Sequence, residues 1–366
     1  MIVTIEQTVV KLFRMLEAQA IRYAVLRNYE LFPSLHRAGD LSPHTDIDLV
    51  VDSRDLDLLR GILSTIAAED AWDGLSECGH WARSRARHHH IQVFRFHRAR
   101  PLEYLQVDVF HSYLLWGLPV FDERQMLEDS VYDPELGLRR IDPLKENVYR
   151  LVQIHGLYPG SERKRLRYQQ RILAFRSSNC QSLDLKLASV FGRFGLNALD
   201  ALGADDVPGF LRNMRLARLR FTLIFALHHP LETSLDLLYR LRENIGRFYT
   251  RQCGLVLRVA VRDEAQRQAV RDLMDELVRN SFMDEWREYA FRKRPSLSDH
   301  FAMEQGAVII EWSKRYVRDA ACLDLRTAHE PAAIVDAILR ACASRHQILY
   351  ARKSAQVPAR MEASVR

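Results

Sequence analysis

The sequence predicts an α+β fold, in which a mixed β-sheet with helices precedes a helical middle region and a small α/β region. Three observations predict it. Apolar strands and amphipathic helices alternate in the first third, residues 142–250 contain one helical pattern after another, and strands and helices alternate again from residue 251. We therefore divide the chain into domains at residues 1–141, 142–250 and 251–353, and expect a disordered tail at 354–366.

Composition limits the class of protein. The chain has 366 residues, of which 48% are hydrophobic and 27% charged, enough to bury the cores of two or three domains. No apolar run approaches the roughly 18 residues of a membrane span, and no leader pattern opens the chain. The five cysteines are scattered without a Cys-x-x-Cys pair. We therefore expect a cytoplasmic protein with no membrane span and no zinc site.

The charge balance favours anionic partners. The formal net charge is +6, and most of the 53 basic residues are arginine, whose guanidinium binds phosphate through two parallel hydrogen bonds. Nucleotides, phosphosugars and nucleic acid all fit this balance. Nucleic acid is disfavoured, because no stretch interleaves aromatic and basic residues as a base-stacking platform does.

The elements of the first domain follow from periodicity. Apolar residues at helical spacing predict a helix over residues 2–20, and an apolar strand begins at Tyr23. Ser53 is predicted to cap a helix that runs from about Arg54 to Glu69. Further strands are predicted near residues 80–84, 91–97 and 103–110.

An acidic strand carries the main functional signal. Asp46 and Asp48 are separated by one residue within an Ile/Leu/Val-rich run. Strand side chains alternate between faces, so both carboxylates project to one side, roughly 6 to 7 Å apart. This spacing suits Mg²⁺ or Mn²⁺, hard cations that bind oxygen ligands. Asp108 lies in a second valine-rich strand, and it completes a three-carboxylate cluster if the two strands are neighbours.

The order of these segments resembles the nucleotidyltransferase superfamily with the polymerase-beta-like fold. More narrowly, it resembles a bacterial nucleotidyltransferase family associated with surface-polysaccharide genes. In the resemblance, Asp46 and Asp48 match the paired-acid motif and Asp108 matches the third acid. Arg27 and Asn28 stand where the wider superfamily has a Gly-Ser pair that binds the nucleotide phosphates.

The resemblance implies an activity. A metal-dependent transferase would move a nucleotidyl or related phosphoryl-linked group from an NTP such as ATP to a hydroxyl acceptor, which the family association suggests is a sugar or glycan. The three aspartates would hold Mg²⁺ or Mn²⁺, and Asp108 would accept the proton of the attacking hydroxyl. Arg27, Asn28 and Thr45 are the expected phosphate-binding residues of the catalytic domain.

The helical middle region adds two basic candidates. Asp142 and Pro143 predict a helix start, with an N-cap followed by proline in the first turn. Residues 161–168 form a basic stretch that contains Lys164 and Arg167. These two side chains either bind phosphate or belong to an ordinary exposed helix start. The polysaccharide-associated family has a similar basic stretch in this place.

The last third predicts a small α/β domain. A strand is expected at 254–261 and a helix at 262–279, and later elements are strands near 307–310 and 322–325, a helix at about 331–343 and a strand at 347–350. Some relatives carry a kinase-like P-loop domain in this position. The Gly-x-x-x-x-Gly-Lys-Ser/Thr loop that binds phosphate is missing here. We therefore interpret this domain as a scaffold or dimerisation module.

Other interpretations stay open. The same triad serves an antitoxin-type enzyme that adenylylates a protein, and a related transferase of phosphorylated alcohols would use CDP-linked donors. A non-catalytic scaffold or binding protein would keep the fold without turnover. His88 and His90 are weak metal candidates, since no helical pair or cysteine accompanies them. The arginines at positions 83, 85 and 87 form either a phosphate-facing strip or a solvated hairpin.

Overall fold

The computed structural model describes residues 3–27, 47–80, 91–99, 102–115, 118–158, 162–231, 233–234, 238, 255–279, 286–290, 308–313, 322–326 and 347–351. Several predicted features lie outside the described residues: Asn28, Thr45 and Asp46, the Arg/His segment at 83–90, the helix at 331–343 and the tail at 354–366.

The described chain is a mixed α+β structure, as predicted. Its helices are α1 (Ile5–Ala18), α2 (Leu56–Glu69), α3 (Glu123–Glu128), α4 (Pro143–Gly156), α5 (Glu162–Phe191), α6 (Arg193–Gly203), α7 (Val207–His228) and α8 (Glu264–Arg279). Its strands are β1 (Tyr23–Val25), β2 (Ile47–Val51), β3 (Gly74–His80), β4 (Ile91–Ala99), β5 (Leu102–Phe110), β6 (Ser112–Leu115), β7 (Leu118–Asp122), β8 (Val131–Asp133), β9 (Leu138–Arg140), β10 (Leu255–Ala260), β11 (Trp286–Ala290), β12 (Val308–Ser313), β13 (Cys322–Asp324) and β14 (Gln347–Ala351).

The larger sheet is mixed and has the strand order β14-β3-β4-β5-β2-β1-β9-β8. Strand β2 pairs with β5 in parallel and with β1 antiparallel. The last strand, β14, pairs antiparallel with β3. The sequence predicted a closing strand at this point but assigned it to the C-terminal domain. In the structure, this strand extends the first sheet instead.

The two faces of this sheet enter different cores. Alternation along β2 sends Ile47, Leu49 and Val51 into the first core, which α1 and α2 cover, as the sequence predicted. Val50 enters a second core together with Ala24, Leu26, Phe110 and residues of the helical region. All five residues of β2 are buried. The strand is therefore enclosed by protein on both faces.

The start of α2 differs from the prediction. Ser53 was expected to cap it, but the carboxylate of Asp52 accepts the hydrogen bond from the backbone N–H of Arg54 instead. A short 3₁₀ turn, Ser53–Asp55, then leads into α2. The Asp52 carboxylate also accepts from the Arg54 side chain, with Nε–Oδ1 at 2.9 Å and Nη2–Oδ2 at 2.6 Å. The prediction of Ser53 as the cap was wrong, because Asp52, one residue earlier, accepts hydrogen bonds from both the backbone and the side chain of Arg54.

The helical middle region begins as predicted. The Asp142 carboxylate accepts from the backbone N–H of Leu144 at 3.1 Å, and Pro143 occupies the first turn of α4. Helices α4 to α7 contribute to the second core, which therefore joins this region to the sheet. Among the described residues, no helix combines the length and the apolar character that crossing a bilayer requires.

The smaller sheet has the order β11-β12-β10-β13, and its pairings are parallel. Helix α8 follows β10, where a P-loop protein would present backbone N–H groups to phosphate. Here the Asp263 carboxylate accepts from the backbone N–H of Gln266 at 2.8 Å. Glu264 adds a second negative charge to the first turn. Both features disfavour an anion at this helix end.

Candidate functional site

Two of the predicted acids lie side by side. Asp48 on β2 and Asp108 on β5 are register partners in the parallel pairing of these strands, and neighbouring strands are about 4.8 Å apart. The residues flanking Asp48 enter the first core, so its carboxylate points to the opposite face of the sheet. Asp48 is 1% exposed and Asp108 is 6% exposed. The condition that the sequence analysis set, that the two strands be neighbours, is met for these two acids.

Arg27 closes on Asp48. It follows β1, whose antiparallel pairing with β2 continues in the hydrogen bond from the Leu26 N–H to the Asp48 carbonyl oxygen at 2.8 Å. The guanidinium donates from Nε and from Nη2 to the two carboxylate oxygens of Asp48, with Nη2–Oδ1 at 2.8 Å. It also lies 5.7 Å from the centroid of the Phe110 ring. Both carboxylate oxygens of Asp48 thus accept hydrogen bonds from Arg27.

Two tyrosines of the helical region interact with this ion pair. Burial alone would lower the pKa of Arg27, but the charge and hydrogen bonds of Asp48 outweigh burial and raise the pKa well above its ordinary value. Tyr149 of α4 and Tyr168 of α5 interact electrostatically with the same guanidinium. Burial raises the pKa of the Tyr149 hydroxyl, and the charge of Arg27 acts in the opposite direction. The helical region therefore contributes to this site.

Asp108 has different partners. Its Oδ1 accepts from the side-chain amide of Gln106 at 2.9 Å, and the Oε1 of Gln106 accepts from Nε of Arg95 at 3.3 Å. A polar chain thus runs across β4 and β5 to the carboxylate. Sequence reasoning missed Gln106, although its position two residues before Asp108 on a strand places both side chains on one face.

The structure describes the two basic candidates of α5 to different extents. Lys164 lies in α5, but its side chain is outside the described residues. Arg167 is exposed, and its guanidinium lies 5.6 Å from the ring centroid of Tyr168. Tyr168 is one of the two tyrosines that interact electrostatically with Arg27. The phosphate-binding role of Arg167 stays a prediction.

The donor set fits a hard divalent cation. Asp48 and Asp108 place two carboxylates on neighbouring strands, and such cations take carboxylate oxygens as ligands. Within the described residues, no three His, Cys, Asp or Glu side chains form a metal-binding group, and Asp46 is not among those residues. Any cation bound to Asp48 would compete with Arg27 for its oxygens.

Comparisons with known proteins assign no family. No family model, curated protein or solved structure matches this chain. The nucleotidyltransferase resemblance therefore remains a prediction that depends on the residues described above.

Proposed function

We propose that the chain is a metal-dependent nucleotidyltransferase that moves a nucleotidyl or related group from an NTP to a hydroxyl acceptor. One observation carries the proposal: Asp48 and Asp108 are register partners on parallel strands, both almost fully buried. Burying two carboxylates next to each other costs free energy unless a cation or hydrogen bonds compensate. Arg27 and Gln106 supply hydrogen bonds to the two acids, and a divalent cation bound by both carboxylates would supply the same compensation.

The division of roles follows from the surroundings of each acid. Asp48 and Asp108, with Asp46, would hold Mg²⁺ or Mn²⁺, which supplies neutralisation of triphosphate charge. The oxygen of the acceptor hydroxyl would bond to the α-phosphorus of the NTP as pyrophosphate leaves, and Asp108 would accept the proton of that hydroxyl. When its guanidinium separates from Asp48, Arg27 would bind a phosphate of the NTP, because a guanidinium binds phosphate and carboxylate through the same pair of parallel hydrogen bonds.

The acceptor is the least constrained part of the proposal. A sugar or glycan hydroxyl, as in surface-polysaccharide synthesis, is our proposed class, and it rests on the resemblance alone. A protein hydroxyl, as in antitoxin-type adenylylation, would require the same three acids.

Thermal unfolding with each of ATP, CTP, GTP and UTP, with and without Mg²⁺, tests the proposal. A ligand that binds only the folded state at 100 times its Kd stabilises it by about 2.7 kcal/mol. We expect one nucleotide to raise the Tm by a few degrees, only with Mg²⁺. The effect should vanish in Asp108→Asn and persist in Asp57→Asn, a control at a side chain that is 94% exposed. No response to any nucleotide would contradict the proposal.

A second candidate is a non-catalytic binding protein with the same fold. The two-point ion pair between Arg27 and Asp48 favours it, because the pair already neutralises the central carboxylate. The two candidates differ in turnover. An NTP labelled at the α-phosphate should transfer its label to an acceptor or to water if the chain is an enzyme, and should be bound unchanged if it is not.

A further inference from the structure

Helix α7 is packed into the protein along only part of its length. Its buried residues are Gly209, Phe210, Asn213, Met214 and Ala217, all in the first half. No residue of its second half is buried. The second half nevertheless contains large apolar side chains, and their exposure requires an explanation.

The exposed side chains are leucines with helical spacing. Leu219 is 57% exposed, Leu223 is 54% exposed and Leu227 is 78% exposed. Steps of four residues place these three on one face of the helix. Leu216, which is 38% exposed, extends the series toward the start of the helix. We call these four residues the leucine ridge.

The charges of α7 have one sign. The helix contains Arg212, Arg215, Arg218 and Arg220, and no aspartate or glutamate. At 100° per residue, Arg212 lies in line with the leucine ridge and Arg215 lies beside it, and both are exposed. Arg220 instead donates a hydrogen bond to the carbonyl oxygen of Val190 at 3.4 Å. Arginine side chains beside an apolar stripe can keep their stems on apolar surface and their charged ends in a polar layer. The pattern matches a helix that lies in the interface of a bilayer.

We propose that the exposed face of α7 binds the surface of an anionic phospholipid bilayer, with the leucine ridge among the acyl chains and Arg212 and Arg215 at the phosphates. The helix would lie on the membrane without crossing it, which agrees with its four arginines. Each basic residue near an anionic surface contributes about five-fold to binding. The proposal is independent of the proposed catalytic activity.

Charge decides between a bilayer and a second copy of the chain. Two α7 helices packed ridge to ridge would bring arginines from both copies together, with no acid on either helix to pair with them. Like charges at such short range are destabilising. An anionic bilayer instead attracts the arginines and buries the leucines in the same contact.

Co-sedimentation of the full chain with vesicles tests the proposal. The vesicles are phosphatidylcholine alone, or phosphatidylcholine with a third of phosphatidylglycerol. We expect binding to the anionic vesicles that weakens as salt is raised. The variant Leu219→Ser/Leu223→Ser/Leu227→Ser should bind at least about 100-fold more weakly. The variant Arg212→Gln/Arg215→Gln should lose about 30-fold on anionic vesicles, whereas Arg218→Gln, on the opposite side of the helix, should bind as the wild type does.

Two controls keep these outcomes distinct. Leu185→Ser removes a leucine of α5 that is 65% exposed, and should bind vesicles as the wild type does. Unchanged circular dichroism and Tm would show that the triple variant is folded, as expected for exposed positions. The proposal is overturned if wild type does not bind anionic vesicles. It is also overturned if sedimentation velocity shows a dimer that the leucine changes dissociate while vesicle binding is unaffected.

Discussion

The guanidinium of Arg27 and the carboxylate of Asp48 form a two-point ion pair between the end of β1 and the middle of β2. The side chain of Arg27 is 19% exposed and that of Asp48 is 2% exposed. The pair therefore links two neighbouring strands of the sheet at the position that the sequence assigns to metal chemistry, and Tyr149 and Tyr168 of the helical region interact electrostatically with Arg27. Structural stability and proposed function depend on the same two residues, and experiments can separate them.

Breaking this ion pair from one side should destabilise the protein. Arg27→Met leaves the Asp48 carboxylate buried without its counter-charge, and we expect a loss of about 3–5 kcal/mol in the free energy of unfolding. The double variant Arg27→Met/Asp48→Leu should recover most of that loss, because apolar side chains often replace a buried ion pair without cost. Urea denaturation of both variants measures these changes.

A matched control uses an ion pair near the surface. Arg54 pairs with Asp52, but its own side chain is 77% exposed. Arg54→Met should therefore destabilise the protein much less than Arg27→Met does. Equal destabilisation by the two substitutions would mean that the buried pair contributes no more to stability than the exposed one.

Divalent cations should stabilise Arg27→Met more than wild type. Without the guanidinium, both Asp48 oxygens can bind a cation, with Asp108 on the neighbouring strand as a second ligand. We expect Mg²⁺ or Mn²⁺ to raise the Tm of Arg27→Met by several degrees more than that of wild type. NaCl at the same ionic strength is the control for screening. Equal shifts in the two proteins would argue against a cation site at Asp48.

The sequence predicted those parts of the site that depend on local periodicity. The alternation of acids with Ile, Leu and Val identified the residues of β2 that enter the first core, and the valine-rich segment around Asp108 identified a second strand with an acid on one face. Both inferences require only that strand side chains alternate, whereas the pairing of the two strands was a condition that the structure supplies. The start of α4 at Asp142 was predictable for a similar reason, since an N-cap and a proline in the first turn are local signals.

Contacts between distant segments were not predictable. The ion pair between Arg27 and Asp48 depends on the antiparallel register of β1 and β2, and the sequence between these strands contains no turn signal that predicts this register. The place of β14 beside β3 joins residues more than 250 positions apart. Burial by α4 and α5 brings Tyr149 and Tyr168 to Arg27, and only the packing of the helical region determines that contact.

The Asp52 carboxylate should contribute stability that depends on pH. Hydrogen bonds and charge from Arg54 lower its pKa from 3.8 to about 2. A pKa that is lower in the folded state stabilises that state above the unfolded pKa, and the contribution is lost as pH falls from about 4 toward 2. Because Arg54 is mostly exposed, solvent screening limits the contribution to about 1 kcal/mol.

Asp52→Asn isolates that charge, because asparagine also serves as an N-cap. Urea unfolding of wild type and Asp52→Asn at several pH values should show a difference of about 1 kcal/mol at pH 7. The difference should decrease below about pH 4 and decrease also in high salt. A difference that stays constant across this pH range would mean that the carboxylate charge is not its source.

Strand β14 should protect one edge of β3. Its pairing with β3 runs from Gln347 opposite Glu77 to Ala351 opposite Gly74. A chain that ends at His346 lacks this strand, and the β3 amides that bond to it should exchange their hydrogens faster. Each such bond contributes about 1 kcal/mol, so protection should fall at least about five-fold. A chain that ends at Ala351 keeps the strand and should show wild-type protection. Equal hydrogen exchange in the two truncated chains would mean that β14 does not pair with β3, and would favour the original assignment of this strand to the C-terminal domain.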